Sequence, residues 1–406
     1  MKKSLLLVLF LWLAGIVAGM QFAKFSSTIQ ILQTEIGITQ LYSGWLLSSL
    51  GIIGLLFGIS AGIVVSRFSP LRLVIIFLLW ASASSFLQTM FTQPILMLII
   101  RILEGFSQLI LVSAAPTALL KYTPKKYQTV VMTFWGTFFG AAFLFMNLIQ
   151  KSLINLGGWK MIFWFHALFA AIIAIILLFL SKNTSDEKNH IQSEKISIIQ
   201  QHKAVYTKIE SILPGLLFVC STMVYLVFFT YLPIYFNELY PNEVFKSNFL
   251  VISMPLFSLL GTFLSGLNLS KQGISPLKLI QYGFTIMIVL SISITFNLNP
   301  VFLITIASLI LICTGLLQGS IFATVPYLSN DSKIHAYANG GITQMGNLGT
   351  TLGAPIFSSL LVYFNWRIAF LLPVASSSLG IFLVLYFSKK LSLKINTDSI
   401  STKTPS

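Results

Sequence analysis

Apolar side chains fall into long runs with brief polar interruptions, at roughly 4–26, 41–65, 71–91, 94–120, 127–150 and 159–181. Six more follow at roughly 209–236, 246–269, 276–296, 300–328, 334–362 and 366–388. Crossing about 30 Å of hydrocarbon takes about 20 helical residues, so each run is long enough to span a bilayer. The pattern predicts an all-α polytopic membrane protein with 12 transmembrane helices. One long polar stretch, Lys182 to Lys208, separates two sets of six, and residues after Lys389 read as a polar tail. The expected organisation is therefore an N-terminal six-helix bundle (1–181), a cytoplasmic linker (182–208), a C-terminal six-helix bundle (209–390) and a disordered cytoplasmic tail (391–406).

Composition narrows the class further. Of 406 residues, 56% are apolar and 9% charged, and the mean hydropathy is +0.89. No soluble, disordered or collagen-like chain carries that balance. A net charge of +15 raises nucleic acid as a partner, but the basic residues lie between apolar runs and form no stripe, so none is expected. Cys220 and Cys313 both lie inside apolar runs, which argues against a disulfide framework or a thiolate metal site.

With Met1 placed in the cytoplasm, only Lys24, Arg101, Lys151, Lys160, Lys246 and Arg367 of the 25 lysines and arginines fall outside the cytoplasmic connections, termini and linker. This bias puts both termini inside the cell. Short connections suit a bacterial inner membrane. Residues 1–20 also carry the Lys2, Lys3 and small-residue pattern of a secretory signal, but removing them would leave one half a span short; they are read as the first span.

The two halves repeat each other. Gly62, Ser66 and Arg67 recur as Gly266, Ser270 and Lys271, and Ser69-Pro70-Leu71-Arg72-Leu73 recurs as Ser275-Pro276-Leu277-Lys278-Leu279. Gly105, Gln108 and Pro116 keep the spacing of Gly315, Gln318 and Pro326, and Trp159-Lys160-Met161-Ile162-Phe163 matches Trp366-Arg367-Ile368-Ala369-Phe370. Each half has an even number of spans, so both copies insert in the same direction. Parallel repeats of this kind rock against each other around a site at their interface.

On these residues the chain resembles the major facilitator superfamily (MFS) over roughly 4–390. Gly62 and Arg67 fit that family's G-x-x-x-D-R-x-G-R-R loop, although Ser66 and Ser69 replace its Asp and second Gly, which removes the carboxylate of the family's charged latch. Arg101-Ile102-Leu103-Glu104-Gly105 is similar to the R-x-x-x-G motif associated with proton coupling. The resemblance implies alternating access, spans one, four, seven and ten around a central cavity, and gating loops at Gly62, Ser66, Arg67, Gly266, Ser270 and Lys271.

Counting inward from Pro94 at about 1.5 Å per residue puts Arg101 about 10 Å, Glu104 about 15 Å and Gln108 about 21 Å below the outer edge, on one helix face. Charges exposed to lipid at that depth cost several kcal/mol, so the face is expected to point at a polar cavity or another helix. Arg101 and Glu104 are the coupling candidates: an anion engaging Arg101 would compete with Glu104 and favour proton uptake on the carboxyl. The competing reading is a structural ion pair.

Lys24 lies late in span one, where an interfacial, outward-reaching position is the commoner outcome. If it faces inward, it joins Arg101 and Glu104 in a site of net charge +1 that favours anions or zwitterions. Tyr231 offers a surface for stacking, against helix packing as the plainer reading. Gln344 and Asn347 lie on a polar stripe of span eleven that is equally ordinary helix glue. Gln108 and Gln318 are expected to face each other. Lys24, Gln108, Tyr231, Gln318, Gln344 and Asn347 make up the candidate cavity set. His166 is read as packing, and no His, Cys or carboxylate grouping suggests a metal site, cofactor or catalytic residue.

The expected function is secondary active transport of a small organic anion or zwitterion, coupled to protons, by a monomer in the lipid bilayer. The alternatives are proton-driven efflux of drugs or metabolites and a non-transporting membrane sensor. A membrane enzyme lacks its reacting groups.

Overall fold

The computed structural model describes residues 2–124, 127, 131–132, 134–181, 198–271, 274–296, 298–329 and 331–401. The first half holds α1 (Lys2–Ile36), α2 (Gln40–Ser48), α3 (Gly51–Arg67), α4 (Pro70–Met90), α5 (Pro94–Tyr122) and α6 (Phe138–Ser181). Then come α7 (Ile198–Thr207), α8 (Ile209–Leu239), α9 (Val244–Lys271), α10 (Pro276–Ser293), α11 (Pro300–Leu328), α12 (Ser332–Tyr363), α13 (Trp366–Ala369) and α14 (Leu371–Ser401).

Helix starts follow from sequence. Pro70, Pro94, Pro276 and Pro300 each occupy a first turn, where a missing N–H costs nothing. Thr39, Ser275 and Asn299 accept from the backbone N–H three residues on. Ends are set the same way. No Gly or Pro interrupts the stretch after residue 26 until Gly37, whose φ of 75° closes α1. The first span therefore runs ten residues beyond its expected end, and Lys24 lies deep inside it.

Among the described residues, ten stretches are long and apolar enough to cross a membrane. One of them, α6, is 44 residues and about 66 Å long, twice the hydrocarbon thickness. Gly157 and Gly158 (φ 68°) break its helical geometry, so it folds as two crossings, the fifth and sixth expected spans. Ser332–Tyr363 is more polar than those ten but packs alongside α8, α2 and α3 as a helix of 32 residues. Span two is split at Ser49–Leu50 into α2 and α3.

Helix also occurs in the stretches read as linker and tail. Within 182–208, α7 occupies Ile198–Thr207, while 182–197 lie outside the described residues. The tail continues α14 to Ser401, because no Gly or Pro interrupts Ser388 to Ser401.

In the first half α6 packs on α1 and α4, and α5 on α3 and α4; in the second α8 packs on α12, α11 and α14, and α9 on α11. The halves meet where α12 lies on α2 and α3 and where α9 lies on α6. The repeat is visible in the packing. A Cβ on Gly105 would sit 2.5 Å from the Leu50 carbonyl oxygen, and one on Gly315 would overlap the Ser258 carbonyl oxygen, so each glycine presses its helix against the backbone of its half's second span. Gly105→Ala is expected to cost about 1–3 kcal/mol by overpacking, read as a lowered thermal midpoint in detergent micelles. An unchanged midpoint would contradict the close approach.

Candidate functional site

Four helices bring polar residues to one point, three of them as pairs spaced three apart and so on one helix face. These are Gln21 and Lys24 of α1, Ser85 and Gln88 of α4, and Arg101 and Glu104 of α5; His166 of α6 completes the group, and all seven side chains are fully buried. Glu104 is the hub. Its Oε1 accepts from Lys24 Nζ at 2.6 Å, and its Oε2 accepts from Arg101 Nη1 at 2.8 Å and Gln88 Nε2 at 3.0 Å. Burying one carboxylate costs several kcal/mol, and two cations with three N–H donors offset it.

Arg101 Nε donates to the Leu46 carbonyl at 3.1 Å, close to the break between α2 and α3. Gly105 permits that contact by seating α5 on the same break. The guanidinium lies 4.4 Å over the Phe25 ring and 5.8 Å over Phe22, while Lys24 Nζ lies 4.9 Å over Phe163. Arg101 Nη2 has no hydrogen-bond partner among the described residues.

His166 extends the network. Its Nε2 lies 3.0 Å from the Val17 carbonyl, which only accepts, so Nε2 carries the hydrogen and Nδ1 accepts from the Ser85 hydroxyl at 2.7 Å. Ser85 Oγ in turn accepts from Lys24 Nζ at 2.5 Å.

Beside this cluster lies a cavity of about 2270 Å³ between the two halves. Its lining includes Gln108, Gln318, Asn347, Tyr225, Trp135 and Phe22. Gly62, Arg67 and Gly266 line it as well, so it reaches the loop ends of α3 and α9; Arg67 is the charged residue among those lining it. The side chains of Ser66, Ser270 and Lys271 lie outside those described. Phe22 both lines the cavity and stacks with Arg101. It is a wall one ring thick between the open space and the buried charges.

The expected site thus divides. Gln108, Gln318 and Asn347 line the cavity, whereas Glu104 and Arg101 are buried one and two turns of α5 beyond Gln108. Lys24 is not interfacial: α1 extends past it and it pairs with Glu104. Tyr231 does not line the cavity. It packs on Phe357 with ring centroids 4.8 Å apart, within a group of aromatic rings that includes Tyr235, Trp366 and Phe370. Gln344 also turns away, toward α3 and α7, although Asn347 on the same stripe lines the cavity. Its Nε2 donates to the Leu55 carbonyl at 2.7 Å, and its Oε1 accepts from Tyr206 of α7 at 2.7 Å.

Sequence reading missed Gln21, Ser85, Gln88 and the role of His166. The signal was available: Ser85 and Gln88 stand three apart in an otherwise apolar span, at the spacing of Arg101 and Glu104. Among the described residues no group of three or more His, Cys, Asp or Glu could hold a metal ion.

A family model for the Major Facilitator Superfamily matches residues 11–336. No curated protein matches the chain. Among solved structures, the chain is similar to the crystal structure of a bacterial homolog of the human lysosomal transporter Spinster, in an inward-facing and unoccupied conformation. That likeness has a TM-score of 0.69 over 96% of both chains at 13% identity, and it shows a shared fold.

Proposed function

Since the chain belongs to the major facilitator superfamily, and is thereby an integral multi-pass secondary transporter, we propose that it moves a small organic anion or zwitterion by alternating access, with the proton as coupling ion. The observation that carries this reading is the buried Lys24–Glu104–Arg101 group. Two cations face one carboxylate where no water reaches, and one guanidinium nitrogen lacks a partner among the described residues. With Lys24 protonated the cluster carries an excess positive charge, which is costly at that depth and is relieved by an anion. Arg101 Nη2 is where a carboxylate or sulfonate of the solute would bond, in the planar geometry that suits guanidinium.

The cavity supplies the approach. Its aromatic walls match an organic body, and Gln108 and Gln318 offer neutral hydrogen bonds from the two halves. The loop ends it reaches carry Arg67 and Lys271, and by the basic-loop bias that face is cytoplasmic. The membrane is a bacterial inner membrane, with both termini inside. Export of bulky apolar solutes in exchange for protons is the second reading, and it draws on the cavity's breadth and apolar lining.

The test is thermal stabilisation of the purified protein by benzenesulfonate, phenylalanine, benzenesulfonamide and benzyltrimethylammonium, followed by uptake into proteoliposomes under an inward proton gradient. Stabilisation by the sulfonate or the amino acid with gradient-driven uptake is the expected result. A response to the cation alone would overturn the assignment.

A further inference from the structure

Charge counting around Glu104 identifies which group takes the proton. Titratable or charged side chains facing the cluster are Lys24 on α1, Arg101 and Glu104 on α5 and His166 on α6; α4 contributes the neutral Ser85 and Gln88, and α2 the Leu46 carbonyl. With Lys24 and Arg101 cationic, Glu104 anionic and His166 neutral, the sum is +1. Protonating Glu104 would raise it to +2. It would also weaken the bonds from Lys24 and Arg101, which are charge-assisted only while the carboxyl is ionised. Arg101 does not deprotonate in proteins. His166 Nδ1 is occupied by the Ser85 hydroxyl, and its Nε2–H is held by Val17.

Lys24 remains. Its two hydrogen bonds, to Glu104 Oε1 and Ser85 Oγ, use two N–H groups, which a neutral amine also possesses. Losing the third proton therefore breaks neither bond.

We propose that Lys24, and not Glu104, carries the transported proton. The step is Lys24–NH₃⁺ giving Lys24–NH₂ and a proton released to water once the site opens; no bond other than N–H is made or broken. The empty cluster is neutral with Lys24 as the amine. It is neutral again with Lys24 as the ammonium and one anion on Arg101. Mixed states carry a net charge of one sign or the other in a buried site and are disfavoured. One proton and one anionic charge then load and leave together. This inference rests on the anion reading of the preceding section.

Benzenesulfonate stays ionised across the working pH range, so any proton that accompanies it sits on the protein. In the wild-type protein its affinity is expected to fall as pH rises, by up to about tenfold per pH unit, the limit for one linked proton. Binding should draw proton uptake from a weakly buffered dye solution. Lys24→Arg, permanently charged, should bind the sulfonate with no pH dependence and no proton uptake. Lys24→Met, checked for folding by size-exclusion profile, should take up no proton either. Linked uptake that persists in both Lys24 variants and disappears in Glu104→Gln would overturn the proposal and leave the anion reading intact. Failure of the wild-type protein to bind any anion or zwitterion of the panel would remove the anion reading, and this inference with it.

Discussion

Glu104→Ala is expected to destabilise the protein by about 3–5 kcal/mol, the cost of leaving buried charges without their counterion. Glu104 is the carboxylate between Lys24 and Arg101, and all three side chains are fully buried. Without it Arg101, and Lys24 whenever it is protonated, are left with no counterion, and the Gln88 amide loses its acceptor. Removing a cation is less costly. Lys24→Met or Arg101→Met leaves one positive and one negative group, so each is expected to cost less than Glu104→Ala. Thermal unfolding of the purified variants in detergent gives the order directly. A Glu104 variant more stable than either cation variant would mean that the cluster is not held by its charges.

Phe22→Ala is expected to make the protein leak protons. The Phe22 ring separates the cavity from Arg101, and its loss would let water reach charges that are dry in the intact protein. Lowering the barrier to proton entry by about 1.4 kcal/mol already raises the leak about tenfold. The measurement is collapse of an imposed pH gradient in proteoliposomes without solute, followed with a trapped pH-sensitive dye. Because truncating a buried Phe can itself cost about 3–5 kcal/mol, Phe22→Leu serves as the milder variant and should leak less. Tight vesicles with a folded Phe22→Ala protein would show that something other than this ring forms the wall.

Helical spans and their duplication were legible because hydrocarbon thickness imposes a length on every crossing and because Pro70, Pro94, Pro276 and Pro300 mark starts in corresponding places. Arg101 and Glu104 stood out as charges in an apolar run, and their spacing gave the shared face. What sequence could not give was the depth of Lys24, because an apolar window ends where polarity rises, whereas α1 continues through Ser26, Ser27, Thr28 and Gln30 to Gly37. Nor could it place Tyr231 and Gln344. Both lie on helices with polar or aromatic residues on more than one face, and packing against Phe357 and Leu55, far away in the chain, decided which face turned inward. His166 was readable only once four helices had been brought together, because its partners Ser85 and Val17 lie on other helices.

The seven-residue cluster belongs wholly to the first half, and the repeat positions of Arg101 and Glu104 in the second are the buried Leu311 and Thr314. The two halves, alike in outline, have therefore divided their labour. One holds the buried charges, and the other contributes shape alone, through the cavity faces of Tyr225, Gln318 and Asn347. On the proposed reading, changes in the second half would alter which solute fits without disturbing how energy is harnessed. Descendants of such a chain would diversify their cargo by varying one half while the other stayed fixed.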